Sequence, residues 1–161
     1  MPTVLFKDKL NFKGPGGGGF LPHQDITAYA SDNLAELHIS AMVAIDAAPT
    51  PKHGPLEFVG GMCDQGILPN EHGVIVDSLV QEMEWRPLLV QPGDIVLFDS
   101  RAPHRSSKNE TDQSRRLAYL TYNKLSEGDL HAKYYKMKLD VFRANTGGTI
   151  SVNRDFGGTI V

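Results

Sequence analysis

Residues 37–46 alternate without a break. Leu37, Ile39, Ala41, Val43 and Ile45 fall on one side, and His38, Ser40, Met42, Ala44 and Asp46 on the other. A period of two with one apolar face is the pattern of a half-buried β-strand, not of an amphipathic helix. Pro49 and Pro51 end it, because proline has no N–H for a ladder. Residues 56–59 form a short apolar strand closed by Gly60-Gly61. Leu88-Leu89-Val90 and Ile95-Val96-Leu97-Phe98 flank Gln91-Pro92-Gly93-Asp94, a Pro-Gly turn, and read as consecutive strands. Residues 117–122, rich in Tyr and Thr, are another. Helical signal is thin: residues 71–83 suit a short helix or an irregular insert, and 130–139 a helix. The pattern predicts an all-β chain, an antiparallel sandwich or barrel of the jelly-roll kind in which cupins are built.

A length of 161 residues fits one domain with a sizeable core. The balance of 16 basic and 19 acidic side chains gives no electrostatic reason to expect nucleic acid or a membrane as partner. Cys63 is the only cysteine, so no internal disulfide forms, which fits a reducing compartment. The N-terminus lacks a basic region followed by an apolar run, and no stretch approaches the ~18 apolar residues of a spanning helix. These features predict a soluble, cytoplasmic chain. The one low-complexity stretch, Gly14-Pro15-Gly16-Gly17-Gly18-Gly19, reads either as a linker or as a loop whose backbone passes close to a ligand. No GK[ST] or GxGxxG follows it into a helix, so a phosphate cradle is disfavoured.

The chemistry concentrates in His23, Asp25 and His104, with Arg115 eleven positions after His104. Residues i and i+2 of a strand share a face, so His23 and Asp25 can reach one ion, and His104 can join them from another strand. Two imidazoles and a carboxylate are the facial triad of non-haem Fe(II) sites, which leaves positions open for cosubstrate and dioxygen. Zinc accepts the same set in the three-ligand catalytic manner. Arg115 tips the balance to iron, because its planar fork suits a carboxylate-bearing cosubstrate. Arg115, Leu117, Tyr119, Thr121 and Asn123 share one strand face, so only one of Arg115 and Arg116 points inward. Thr27 and Tyr29 continue the face of His23 and Asp25 and line the pocket or pack. Thr121 and Asn123 are weaker pocket residues, and Cys63 is a loop thiol or a pocket residue. His38, His53, His72 and His131 read as surface or packing residues. An HxD pair alone is common, and an adjacent arginine pair is by itself usually a solvated face.

The context is more specific. Phe12-Lys13-Gly14-Pro15-Gly16 precedes Pro22-His23-Gln24-Asp25. His53-Gly54-Pro55-Leu56-Glu57-Phe58-Val59 follows, then Gln91-Pro92-Gly93-Asp94, residues 99–104 and residues 109–116. In this order and spacing, over roughly residues 5–142, the chain resembles the phytanoyl-CoA dioxygenase family of Fe(II)/2-oxoglutarate-dependent oxygenases. The resemblance implies a double-stranded β-helix (jelly roll, cupin-like). It implies iron at His23, Asp25 and His104, which are thereby the catalytic residues, and 2-oxoglutarate clamped by Arg115. Lys13 matches a basic residue on the cosubstrate side, and Thr27 is placed with the cosubstrate contacts. The partners implied are 2-oxoglutarate, O2 and a small-molecule substrate, with succinate and CO2 released. The glycine-rich stretch and residues 150–156 look most like the branch acting on small polar molecules, which includes 2-aminoethylphosphonate hydroxylases.

Two departures stand out. Gly60-Gly61-Met62-Cys63 replaces the family's usual Pro-Gly-Ser-His. The usual N-terminal helical part is missing ahead of His23, so a bare apolar sheet face is expected. The organisation expected is one oxygenase domain over 1–161, with a core at 5–142 and a tail at 143–161. The alternatives are a truncated, catalytically incompetent metal-binding paralogue or fragment, and a Zn or Mn cupin-type hydrolase or isomerase.

Overall fold

A computed structural model describes residues 1–29 and 34–144, with side chains as far as residue 140. The strands are β1 (Thr3–Lys13), β2 (Phe20–His23), β3 (His38–Ala44), β4 (Leu56–Phe58), β5 (Asn70–Glu71), β6 (Val74–Ile75), β7 (Arg86–Pro87), β8 (Ile95–Asp99), β9 (His104–Ser106) and β10 (Arg115–Lys124). Among the described residues there are also two α-helices, α1 (Asp77–Val80) and α2 (His131–Ala144), and short 3-10 turns. A four-stranded sheet runs β1-β10-β3-β8, and a six-stranded sheet runs β5-β6-β2-β9-β4-β7. Every pairing is antiparallel. The two sheets share an apolar core. Met42, Ala44, Phe98 and Leu117 of the first meet Leu56 and Phe58 of the second, with Ala48, Val90 and Ala102 from the connections. Each large side chain buried there contributes about 1.5–3 kcal/mol. The all-β jelly roll is therefore the architecture, with α2 as its one substantial helix. That helix lays Tyr134 against Phe6, Tyr29 and Leu34 in a second cluster.

The period of β3 is as expected, but its phase is inverted. His38, Ser40, Met42 and Ala44 are the buried residues, while Ile39, Ala41 and Val43 are only half-buried. The apolar side belongs to the outer face of the four-stranded sheet. There Leu10, Phe12, Ile95 and Leu97 are all more than half exposed. Register puts them together: Phe12 opposes Arg116, Leu10 opposes Ala118, Ala118 opposes Val43, and Val43 opposes Ile95. The expected bare apolar face is thus present. The inner face nevertheless carries polar groups, of which Ser40 and Thr121 satisfy each other at 2.8 Å. His38 is fully buried against the rings of Phe6 and Tyr29, as a packing residue.

Other differences have local causes. β1 gives no clean alternation because the register shifts between Leu5 and Lys7, and Phe6 turns into the second cluster at that bulge. The strands expected on either side of the Pro-Gly turn do not pair with each other. Val90 bridges Ala48, and β8 joins β3 in the other sheet. Residues 71–83 hold two-residue strands and the single turn α1. Residues 145–161, including the 150–156 segment, lie outside the described residues. Among those described, no helix is long and apolar enough to cross a membrane.

Candidate metal centre

β2 ends on His23 and β9 begins on His104, and the two residues face each other directly across the antiparallel pair. Opposed side chains on one face lie close enough to touch, and the imidazole centroids are 4.2 Å apart. Asp25 is not on the strand: it opens a 3-10 turn over Asp25–Ala28. Gln24 between the ligands remains extended, with φ −118° and ψ 130°, so Asp25 still emerges on the side of His23. One ligand atom from each of His23, Asp25 and His104 lies within 4.8 Å of the others.

The donor set fits a divalent ion. His23 Nδ1 lies 2.6 Å from the Leu21 carbonyl oxygen, and His104 Nδ1 lies 3.0 Å from that of Ala102. A carbonyl only accepts, so each Nδ1 carries the proton and each Nε2 offers a lone pair. Burial, reinforced by the neighbouring His104, pushes His23 down to about 3, so it is neutral at physiological pH. Burial alone would raise the Asp25 carboxyl. Lys7, His104 and His23 outweigh that and hold it well below the usual carboxylate range. Phe58 stacks on His104 at 5.5 Å, and Phe98 meets its edge at 5.4 Å, walling one side with apolar surface.

Gln24 is a positioning residue that sequence reasoning missed. It is buried, and its amide donates to the carbonyls of Arg101 (2.6 Å) and Gly66 (2.9 Å) while accepting from the Leu68 N–H (2.8 Å). Its backbone carbonyl accepts from the Thr27 hydroxyl at 2.7 Å. The strand phase expected for Thr27 and Tyr29 does not form, because the chain has already turned. Thr27 braces that turn, and Tyr29 is buried in the second cluster, where it accepts from Lys7 Nζ at 2.7 Å.

The two arginines are separated by strand phase. Arg116 points to the outer face, where Asp46 takes its Nε and Nη2 at 2.8 Å each. Arg115 points inward and is 1 % exposed. Among the described residues it has no acidic partner, and its Nε has no acceptor. Its neighbour Tyr119 is neutral, pushed up to about 12 by burial. Burial also lowers the Arg115 pKa, but a guanidinium remains a cation in proteins. Opposite Arg115 in register stands Lys13. The Lys13 ammonium donates to Ser106 Oγ (2.9 Å), Ser107 O (2.5 Å) and Gly54 O (3.3 Å), so all three of its N–H groups have acceptors. Thr121 pairs with Ser40 at 2.8 Å, and Asn123 donates to the carbonyls of Lys124 and Gly128, so both serve the fold.

The glycine-rich stretch does make a close approach, but to the chain's own backbone. A Cβ on Gly19 would overlap the Ser106 carbonyl. Gly16 N–H donates to Asn109 O, and Asn109 N–H to Gly17 O, at 2.9 Å each. Cys63 is half-buried against the main core, and burial raises its thiol. His53 and His72 lie in loops, and His131 pairs with Asp8 at 3.0 Å, so none joins the cluster.

Comparison with known proteins gives the same picture. The chain is 44 % identical over 150 residues to a methylphosphonate hydroxylase of Gimesia maris, covering 91 % of this chain and 56 % of that protein. It is 44 % identical over 141 residues to a 2-aminoethylphosphonate dioxygenase of an uncultured bacterium, covering 87 % of this chain and 53 % of that one. The chain thus spans about half the length of these curated relatives. Its fold matches the crystal structure of EctD from S. alaskensis with 2-oxoglutarate and 5-hydroxyectoine. That match has a TM-score of 0.65 and 25 % identity, over 78 % of this chain and 45 % of that one. Residues 2–117 match the family model described as phytanoyl-CoA dioxygenase (PhyH), and the chain belongs to that family.

Proposed function

We propose that this chain carries the core of an Fe(II)- and 2-oxoglutarate-dependent dioxygenase that oxidises a small polar molecule, with release of succinate and CO2. One observation carries the reading: three metal-ligating side chains share a jelly roll with a buried arginine that lacks an acidic partner. His23, Asp25 and His104 hold the iron. Iron there supplies open positions for cosubstrate and dioxygen and the power to oxidise a C–H bond. Arg115 takes the far carboxylate of 2-oxoglutarate in a bidentate pair, which its dry surroundings strengthen. Lys13 supports that end as a hydrogen-bonded amine, which burial and the Arg115 cation bring down to about 7, and Thr27 holds the turn that presents Asp25. Phe58 and Phe98 keep water from the His104 side. Relatives named for methylphosphonate and 2-aminoethylphosphonate support a phosphonate-bearing substrate. The lone cysteine and the use of Fe(II) support a cytoplasmic setting.

A zinc or manganese hydrolase would share the three ligands but has no use for a buried Arg115 that lacks an acidic partner among the described residues. The test is anaerobic titration with Fe(II) and 2-oxoglutarate, followed by admission of dioxygen. The wild type should develop the weak visible charge-transfer band of bidentate chelation and then form succinate, and His104→Ala should do neither. Tight zinc binding with no band and no succinate would overturn the reading.

A further inference from the structure

After its bulge, β1 places Lys7, Lys9, Asn11 and Lys13 on the phase opposite to Leu10 and Phe12, in register with Thr121, Tyr119, Leu117 and Arg115, with Lys13 buried and Lys9 still open to solvent. The two ends of this row have different surroundings. Lys13 lies beside Arg115, and its ammonium is fully hydrogen-bonded to the protein. Lys7 and Lys9, roughly 13 Å further along the strand from Lys13 to Lys9, both act on Asp25 instead. A third ammonium joins them from α2: Lys138 Nζ lies 5.6 Å from the centroid of Tyr134, whose ring meets that of Tyr29 at 5.8 Å, and Lys7 Nζ lies 5.1 Å over the Tyr29 ring.

Among the described residues, the other acids on these elements are engaged elsewhere. Asp8, on the opposite phase of β1, is engaged by His131 and Tyr135, and Asp140 of α2 by Lys136. The acid that Lys7, Lys9 and Lys138 do share is Asp25, a member of the metal cluster. Among the described residues, Lys9 and Lys138 make no ion pair. Their ammonium groups rest near aromatic rings, Lys9 at 5.0 Å from the centroid of Phe20 and Lys138 at 5.6 Å from that of Tyr134. Lys7 gives one N–H to the Tyr29 hydroxyl and keeps two. Desolvation and mutual repulsion with Lys7 and Lys138 push Lys9 down to about 8. Three crowded cations that share a single carboxylate are unfavourable alone and favourable around an oxyanion.

We propose that Lys7, Lys9 and Lys138 form the subsite that receives the tetrahedral phosphonate or phosphate group of the substrate, on the Asp25 side of the metal centre. The assignment rests on the dioxygenase reading and extends it to named residues. It divides the labour between cations by shape. The planar fork of Arg115 suits the carboxylate of the cosubstrate, and three independent ammonium groups suit a tetrahedral oxyanion with several acceptor atoms. The oxidised carbon then lies between the subsite and the ion, because the oxyanion is tethered at the outer end.

The test is calorimetric titration of the anaerobic Fe(II)·2-oxoglutarate protein with methylphosphonate, and in a second arm with methyl phosphate. The tighter of the two identifies the source of the oxyanion. Lys9→Gln should weaken that ligand by roughly tenfold to hundredfold while leaving the visible 2-oxoglutarate band unchanged. Lys138→Gln, on a different element, should weaken it in the same direction, and Lys9→Arg should retain most of the affinity. Unchanged affinity in both glutamine variants with an intact band overturns the subsite alone. Absence of the band in the wild type overturns the dioxygenase reading, and the subsite with it.

Discussion

Replacing Arg115 by methionine should move the stability of the metal-bound chain in opposite directions with and without cosubstrate. Arg115 is 1 % exposed, and its Nε has no acceptor. An uncompensated buried cation is unfavourable, and methionine fills much of the same space, so Arg115→Met should melt higher than wild type when cosubstrate is absent. In the wild type, 2-oxoglutarate at 100 times its Kd should stabilise by about 2.7 kcal/mol, a rise in Tm of about 5–11 °C for a chain of this size. Truncating one partner of a buried charge pair costs about 2–5 kcal/mol. Even the lower figure weakens binding about thirtyfold and leaves a rise of about 3 °C or less. The adjacent Arg116 is the internal control. Its pair with Asp46 is partly exposed, 43 % and 22 % for the two side chains, and such solvent-screened pairs contribute little. Arg116→Met should therefore melt slightly lower and keep the full cosubstrate shift. Thermal melts with Mn(II), a redox-inert occupant of the same ligands, read both effects. A full shift in Arg115→Met, or its loss in Arg116→Met, would refute the assignment.

Gln24→Leu should strand the Leu68 N–H and the Gly66 and Arg101 carbonyls, at about 1–3 kcal/mol for each unsatisfied group. With all three ligands still present, metal affinity should fall about 10–100-fold by titration, and unchanged affinity would remove Gln24 from the positioning role. The metal-free chain should also lose stability in mild acid. His23 binds a proton only near 3 when folded, whereas an unfolded imidazole does so below about 6.5. The unfolded state therefore takes up more protons in that window, so stability falls as pH drops through it. His38, lowered by burial, has the same sign, and Asp25 adds to the loss only below its ordinary 3.8. Urea midpoints at pH 7.5, 5.5 and 4.5 should decrease in order, and a flat series would contradict the buried neutral imidazoles.

Much of the site is legible in the sequence because ligand spacing and strand phase are local properties. His23 and Asp25 at i and i+2, and Arg115 on the face of Leu117 and Tyr119, need only the backbone period. What the sequence hides depends on distant chain. Gln24 acquires its role from Gly66, Leu68 and Arg101, and nothing beside it signals this. The inversion of β3 is hidden because alternation reveals that two faces differ, not which one turns inward. The inward face of β3 holds His38 and a Ser40 that pairs with Thr121, so the usual equation of apolar with inside fails there. β1 is blurred by one extra residue at Phe6. The glycine run was legible as a close approach, but not its object, because Asn109 and Ser106 meet it from far along the chain.

The inverted phase of β3 has an evolutionary corollary. Neighbours such as Met42 and Val43 answer to separate demands, one sealed in the apolar core between the sheets and the other facing the outside of the sheet. Alternate codons can then diversify on their own, so the outer surface of the sheet can change while the intervening inward positions, and the packing they serve, stay constant.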